Sequence, residues 1–326
     1  MRRAILSTCL VVLLAVGLVV AGLAYYGYQA FKAPGLTSEE TLVLIRRGSS
    51  LDDIAEVLTE SGVISDPMVF GVAARLSEKA RRLKAGEYAI PAGASMEAVL
   101  VILASGRTIA RSLTVPEGLT SVEIVRLIEE APALVGAVAE VPPQGSLLPE
   151  TYHYSFGDDR AVLLQRMSEA MERTLGELWP QRQEGLPLES PQEALALASI
   201  VEKETGIADE RPLVASVFIN RLRRGMPLQS DPTVIFALTE GEAPLGRALT
   251  RRDWRVEHPY NTYVIPALPP GPIANPGRAA IAAVLQPAES DYLYFVAAGD
   301  GGHAFAKTLR EHNRNVRQWR RIRDGN

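Results

Sequence analysis

Cysteine is nearly absent from this 326-residue sequence, which contains a single one, Cys9. No disulfide can therefore form within the chain, and a chain of this length can be stable on its hydrophobic core alone. Histidine is also scarce, and its four occurrences have no metal-ligand spacing relative to one another. Neither a C-x-x-C nor an H-E-x-x-H motif is present, so we predict no metal site and no cofactor.

The sequence has no surplus of positive charge either. Lys and Arg number 34 against 38 Asp and Glu, which gives a formal net charge of −4. This composition does not support nucleic-acid binding. A P-loop, a dinucleotide-binding fingerprint and a G-x-S-x-G element are also missing, which removes the common nucleotide-binding and serine-hydrolase signatures.

Long apolar runs are limited to one, the 21 uncharged residues from Ala4 to Ala24. At ~1.5 Å per residue this run spans a hydrocarbon core of ~30 Å. Arg2 and Arg3 favour a cytoplasmic N-terminus. The alternative is a cleaved signal peptide, but the run is longer than a typical signal core and lacks a small-x-small site with a polar flank. We predict that residues 1–32 form a cytoplasmic N-terminus and one membrane-spanning anchor.

Residues 39–107 are predicted to form a small unit. Its strands are Thr41–Ile45 and Gly86–Ile90, and its helices begin near Ser49, Pro67 and Ser95. The stretch Gly48–Ala55 reads G-S-S-L-D-D-I-A, and with the strand–helix–helix–strand order it resembles a LysM module. That resemblance implies binding of glycans that contain N-acetylglucosamine. A docking subdomain without glycan contact of its own is the alternative.

Residues 108–326 are predicted to form a larger unit of mixed α+β class, so the whole chain is expected to be α+β. Its strands are Ser112–Val115 and an extended stretch over Leu147–Tyr154. Its first helices are Thr120–Glu130 and Arg160–Leu178.

A helix from Ser190 to about Thr205 is the most informative element of this unit, because it is apolar almost all round. The run S-P-Q-E from Ser190 to Glu193 predicts a capping box with proline at the first helical position. Gly206 is a plausible end. Two carboxylates, Glu202 and Glu204, lie at the end of this helix. Burying a charge in apolar surroundings costs free energy, so these two residues are candidates for a functional role.

Glu202 and Glu204 are expected to point to nearly opposite sides of the helix. Each residue rotates the helix by about 100°, so side chains two positions apart are separated by about 200°. They cannot therefore act as a facing acid and nucleophile on one sugar. Apolar neighbours and the negative helix end should raise the pKa of Glu204, as a general acid requires. Glu202 could instead pair with Arg211 or Arg221 in structural support. The spacing favours Glu204 as the acid and leaves Glu202 open.

Two polar segments after this helix are candidates for substrate binding. The first is Gln229, Ser230 and Asp231, just before Pro232, and the second is Tyr260, Asn261, Thr262 and Tyr263. Tyrosine rings can stack on sugars, and amides and hydroxyls can bind their polar groups. Each segment has a plainer alternative, which is a helix cap at Ser230 or Asp231 and a strand edge at 260–263.

Several blocks in a fixed order together resemble the MltG (YceG-like) family of membrane-anchored endolytic murein transglycosylases. They are A-S-I-V-E-K-E-T (198–205), D-E-R (209–211), V-A-S-V-F-I-N-R-L (214–222), L-Q-S-D-P-T-V-I (228–235), Y-N-T-Y (260–263), L-P-P-G-P-I-A-N-P-G (268–277) and Y-L-Y-F-V (292–296). The resemblance covers nearly the whole chain. Two departures are Glu150, where the family often has Asp, and Phe236-Ala237, where Tyr-Gly is usual.

The resemblance implies that Glu204 is the catalytic residue. Glu204 would protonate the β-1,4 oxygen between N-acetylmuramic acid and N-acetylglucosamine and then accept the proton of the muramic acid 6-hydroxyl, which closes a 1,6-anhydro ring. It also implies a bacterial plasma (inner) membrane location, residues 108–326 as an extracytoplasmic catalytic domain, peptidoglycan strands as substrate and peptidoglycan synthases as partners. The alternatives are a non-catalytic glycan-binding scaffold and a hydrolase in which Asp231 faces Glu204.

Overall fold

The chain is described here by a computed structural model that covers residues 2–299 and 301–325, with side chains described from residue 10 onward. Over these residues it has eleven α-helices and six short strands, which pair into three two-stranded sheets. The fold is therefore mixed α+β, as the sequence predicts. Two compact units can be distinguished, Met1–Arg111 with Tyr154–Gly157, and Ser112–His153 with Asp158–Asn326.

The first helix, α1, runs over Arg2–Lys32. Its segment Leu10–Lys32 is long and apolar enough to cross a membrane, with 23 residues and a mean hydropathy of 2.3. Its apolar side chains from Leu10 to Leu23 are largely exposed. A helix that is apolar all round and unburied in protein suits a lipid environment.

The rest of the first unit has the predicted element order. It contains β1 (Thr41–Ile45), α2 (Leu51–Glu60), α3 (Pro67–Leu76), β2 (Gly86–Ile90) and α4 (Met96–Ser105). The two strands are antiparallel, with Val43 opposite Tyr88. Ser50 and Asp53 form a reciprocal capping box that starts α2. The core of the unit is built on fully buried side chains, among them Leu58 and Phe70.

The second unit contains most of the helices. The strands β3 (Arg111–Thr114) and β4 (Thr151–Tyr154) pair with each other. The following elements are α5 (Ser121–Glu130), α6 (Arg160–Leu178), α7 (Pro191–Glu204), α8 (Arg211–Arg223), α9 (Asp231–Thr239), α10 (Arg278–Leu285), β5 (Tyr294–Ala297), β6 (His303–Ala306) and α11 (Leu309–Arg323). The strand at residues 151–154 is shorter than the extended stretch predicted from Leu147.

Helix α7 is surrounded by the core of this unit. Every residue from Ala194 to Val201 is buried, and α8, α9 and α10 all contact it. Ser190 caps the helix by accepting the N–H of Glu193 at 3.2 Å. The capping box also predicts that the Glu193 carboxylate accepts the backbone N–H of Ser190. This part of the prediction is wrong, because the carboxylate accepts the N–H of Glu189 instead. The helix ends at Glu204, so this carboxylate sits where a buried helix meets the surface.

Replacing Leu58 with Ala should destabilise the first unit. Leu58 is 0% exposed, and Leu→Ala changes in packed cores cost ~2–5 kcal/mol. The control is Leu42→Ala on the neighbouring strand, since Leu42 is 59% exposed and outside the core. Chemical denaturation should show a large loss of unfolding free energy for Leu58→Ala and little change for the control. Equal effects of the two substitutions would contradict the assigned core.

Candidate functional site

The candidate site is centred on the Glu204 carboxylate. Its Oε1 accepts a hydrogen bond from the Oγ of Ser230 at 2.5 Å. Ser230 is 1% exposed, while Glu204 itself is only partly buried. A hydroxyl-to-carboxylate bond of this length belongs to the strong, charge-assisted class. The carboxyl group is thus held by the protein and still reachable from solvent.

A short turn before α9 places the Ser230 hydroxyl. Gln229 has φ +53°, a left-handed conformation that is uncommon for a residue other than glycine. The backbone N–H groups of Gln229 and Ser230 donate to the carbonyl and the Oγ1 of Thr262, both at 3.0 Å. Thr233 Oγ1 donates to the Ser230 carbonyl at 2.6 Å. These bonds to two buried threonines hold the strained turn in one conformation.

Arg221 also holds the turn that carries Ser230. Its Nη1 donates to the Leu228 carbonyl and its Nε to the Leu293 carbonyl, each at 2.7 Å. Its guanidinium also lies 5.3 Å from the ring centroid of Tyr294. The possible pairing of Arg221 with Glu202 is wrong, because the hydrogen bonds of the guanidinium go to backbone carbonyls. Arg221 is therefore a positioning residue for the segment that carries Ser230.

Asp231 brings a second carboxylate and two aromatic rings to the site. Its Oδ1 accepts hydrogen bonds from Trp254 Nε1 at 2.9 Å and Tyr263 Oη at 2.7 Å. The Trp254 and Tyr263 rings stack, with centroids 5.7 Å apart and an angle of 21° between their planes. Ser230 occupies the N-cap position of α9 but makes no side-chain cap. Ser230 therefore starts α9 by its position, as the plainer alternative expects, but its hydroxyl bonds to Glu204 and not to the helix backbone.

The segment 260–263 is a turn, so its interpretation as a strand edge is wrong. Asn261 is fully buried, and its Nδ2 donates to the Val256 carbonyl at 2.8 Å. Thr262 is also fully buried. Tyr260 packs on Phe236, with ring centroids 4.7 Å apart. Of the four candidates in this segment, only Tyr263 reaches the Asp231 cluster.

Glu202 belongs to a separate, structural network. Its side chain is 4% exposed and lies 3.4 Å from Arg211 Nη2, and its Oε2 accepts the N–H of Gly277 at 2.9 Å. Arg211 also pairs with Glu117 at 3.3 Å. A Cβ at Gly277 would meet the Glu117 carboxylate, so a larger residue there would require this side chain to move away from Gly277. Removing one partner of such a buried ion pair is strongly destabilising, by ~3–5 kcal/mol.

A histidine–glutamate pair next to Glu204 was missed from the sequence. His303 Nδ1 lies 2.7 Å from Glu210 Oε2, and the His303 N–H donates to Glu210 Oε1 at 2.8 Å. Thr205, the residue after Glu204, also donates to Glu210. His303 begins β6, and 93 positions separate it from Glu210, so no local motif signals the pair.

Burial raises the pKa of Glu204 to about 7. The Ser230 hydrogen bond lowers this pKa, the negative charge of Asp231 raises it, and the charges of His303 and Arg221 lower it. A carboxylic acid with this pKa is partly protonated at neutral pH and can both give and take a proton. The site can therefore carry out acid–base chemistry with a single carboxyl group beside an aromatic surface. Within residues 2–299 and 301–325, no cluster of three or more His, Cys, Asp or Glu could hold a metal ion.

Comparison with known proteins gives consistent matches over most of the chain. The sequence profile of the YceG-like family matches residues 43–318. An endolytic murein transglycosylase of Bacillus subtilis is 31% identical, covering 91% of this chain and 90% of that protein. One of Streptococcus pneumoniae strain D39 is 28% identical, covering 90% of this chain and 61% of that protein. The crystal structure of a YceG-like protein from Listeria monocytogenes has 31% identity and a TM-score of 0.53, covering 85% of this chain and 99% of that one.

Titration of the Glu204 carboxyl carbon by ¹³C NMR should give a pKa of about 7. Its resonance is assigned by its absence in Glu204→Gln. Ser230→Ala should raise this pKa, because it removes a hydrogen bond that favours the carboxylate. Asp231→Asn should lower it, because it removes a negative charge that disfavours the carboxylate. A wild-type pKa near the ordinary ~4.3 of glutamate, or shifts of the same sign in both variants, would contradict this picture.

Proposed function

Because the chain belongs to the YceG-like family, we propose that it is an endolytic murein (peptidoglycan) lytic transglycosylase. It cleaves the β-1,4 bond between N-acetylmuramic acid and N-acetylglucosamine and leaves 1,6-anhydromuramic acid ends. The relatives from Bacillus subtilis and Streptococcus pneumoniae carry the name endolytic murein transglycosylase. The single observation that carries the proposal is the partly buried Glu204, whose pKa is raised to about 7 by burial.

Glu204 acts as both acid and base in the proposed reaction. Its proton moves to the glycosidic oxygen, the bond from this oxygen to C1 of N-acetylmuramic acid breaks, and the bonding electrons leave with the oxygen. The resulting carboxylate takes the proton of the 6-hydroxyl, whose oxygen attacks C1 and closes the anhydro ring. No water enters, so one carboxyl group is sufficient. This fits a helix whose other carboxylate, Glu202, is engaged with Arg211 and Gly277.

The surrounding residues have two kinds of role in this proposal. Ser230 donates to Glu204 and stabilises the carboxylate formed between the two proton transfers. Exposed or partly exposed groups contact the glycan, namely Gln229, Asp231, Trp254 and Tyr263. Buried Asn261 and Thr262 position the turns that carry them. A stacked tryptophan–tyrosine pair offers the flat apolar surface on which a sugar ring can rest.

The anchor and the small unit extend the proposal. Leu10–Lys32 spans a bacterial plasma membrane once, with Arg2 and Arg3 in the cytoplasm and residues 108–326 outside as the catalytic domain. Residues 39–107 form a LysM-like subdomain, which the order β1–α2–α3–β2 with antiparallel strands supports. The enzyme would then meet nascent strands near peptidoglycan synthases and terminate their growth.

Glu204→Gln should abolish cleavage of purified glycan strands while leaving the fold intact. Gln is nearly isosteric but cannot transfer this proton, and general acid–base catalysis contributes ~10²–10⁴-fold. The matched control is Glu202→Gln on the same helix, which should lower stability but still yield 1,6-anhydro products. Products are identified by mass spectrometry, because hydrolysis adds one water per bond cleaved and leaves the new muramic acid end heavier by one water than a 1,6-anhydro end. An active Glu204→Gln with an inactive Glu202→Gln would contradict the assignment, and reducing ends would indicate a hydrolase that uses Asp231.

A further inference from the structure

Helix α3 has an apolar stripe that the core of its unit does not use. The stripe consists of Met68, Val72 and Leu76, which are 77%, 47% and 81% exposed. They follow one another at intervals of four residues, so they share one side of the helix. Phe70 and Ala74 of the same helix are fully buried in the core. Three large apolar side chains in a row on a ten-residue helix are a costly surface to leave in water.

The stripe adjoins the outer end of α1, within the same unit. The two helices together line an apolar cleft of about 650 Å³. From α1 it is lined mainly by Leu23, Tyr26 and Phe31, and from α3 by Met68, Val69, Val72 and Leu76. The exposed side of α3 is therefore continuous with the side chains at the end of the membrane-spanning segment.

The anchor itself indicates the depth at which α3 lies. The aliphatic part of α1 ends at Ala24, and Tyr25, Tyr26, Tyr28 and Phe31 follow before Lys32. Aromatic side chains are enriched in the interfacial layer, so Tyr26 and Phe31, at the end of the membrane-spanning segment, lie at that level. Since α3 packs beside these residues, its stripe lies at the same level.

Charge next to the stripe fits a phospholipid headgroup layer. The segment after α3 contains Lys79, Arg81 and Arg82, against one exposed acidic residue, Glu78. Arg75 is also exposed but is paired with Asp52 at 2.8 Å. Basic residues beside an anchored apolar surface are attracted to anionic lipids.

We propose that α3 is a membrane-docking helix that inserts Met68, Val72 and Leu76 into the interfacial layer of the bilayer and places Lys79, Arg81 and Arg82 on anionic headgroups. This rests on the proposed anchor. The first unit is then held against the membrane along a second contact and does not swing on the anchor alone. An apolar face with basic flanks is the pattern of helices that lie in the plane of a membrane.

Site-directed spin labelling of the full-length chain in lipid nanodiscs tests the proposal. The single cysteine makes this direct, because Cys9→Ser removes the only competing thiol. Single cysteines at positions 68, 72 and 76 are labelled, and accessibility to oxygen and to a water-soluble nickel chelate is measured. Leu18→Cys in the anchor is the lipid control, and Glu56→Cys on the exposed side of α2 is the water control. Each disc holds one copy of the chain, so no second protein can cover the stripe.

Labels at 68, 72 and 76 should favour oxygen, as the label at 18 does. Labels at the stripe that behave like the one at 56, while the label at 18 is in lipid, would overturn the docking helix and leave the anchor standing. A label at 18 in water would overturn the anchor and this inference together. Labels at 68, 72 and 76 that are shielded from both oxygen and the nickel chelate would also overturn the docking helix, because the stripe would then be covered by protein. Adding anionic phosphatidylglycerol to phosphatidylcholine discs should move the labels deeper into the bilayer, seen as a higher ratio of oxygen to nickel-chelate accessibility. An unchanged ratio would contradict the role of Lys79, Arg81 and Arg82.

Discussion

The hydrogen bond from Ser230 to Glu204 is the interaction on which the site depends. It joins the end of a helix buried in the core to a turn that follows 26 positions later. On one side the carboxyl group is fixed by α7, whose residues Ala194–Val201 are all buried. On the other side the hydroxyl is fixed by Thr262, Thr233 and Arg221. Burial and this one donor oppose each other, and their balance leaves the Glu204 pKa at about 7.

Two carboxylates on one helix have different roles because their surroundings differ. Glu202 accepts a hydrogen bond from the backbone N–H of Gly277 and pairs with Arg211. Arg211 balances its negative charge, and the bond to Gly277 holds that loop in place. Among the residues that the structure describes, Glu204 has no cationic side chain bonded to it and accepts from the neutral hydroxyl of Ser230. When the surroundings of two nearby acids give them different tendencies to hold a proton, this difference indicates which of the two is catalytic.

Much of the fold could be predicted from local patterns. The bounds of β1, β2 and α6 follow from hydrophobic periodicity and turn residues, and helix geometry alone separates Glu202 from Glu204. The Ser230 contact could not be predicted, because it requires Gln229 to adopt a positive φ, which is stabilised by bonds to Thr262 that form only in the folded chain. The sequence left open whether Glu202 pairs with Arg211 or Arg221, and the structure shows Arg211. The sequence could not decide this, because the carbonyls of Leu228 and Leu293 approach Arg221 only in the folded chain.

The pH dependence of kcat/KM on a defined glycan strand tests the central claim most directly. Glu204 must be protonated to begin the reaction, so the rate should fall as pH rises through the pKa of the free enzyme. The account predicts a descending limb centred at about pH 7, the value set by burial of Glu204. A descending limb centred near the ~4.3 of an ordinary glutamate would contradict it, because the acid would then be solvated.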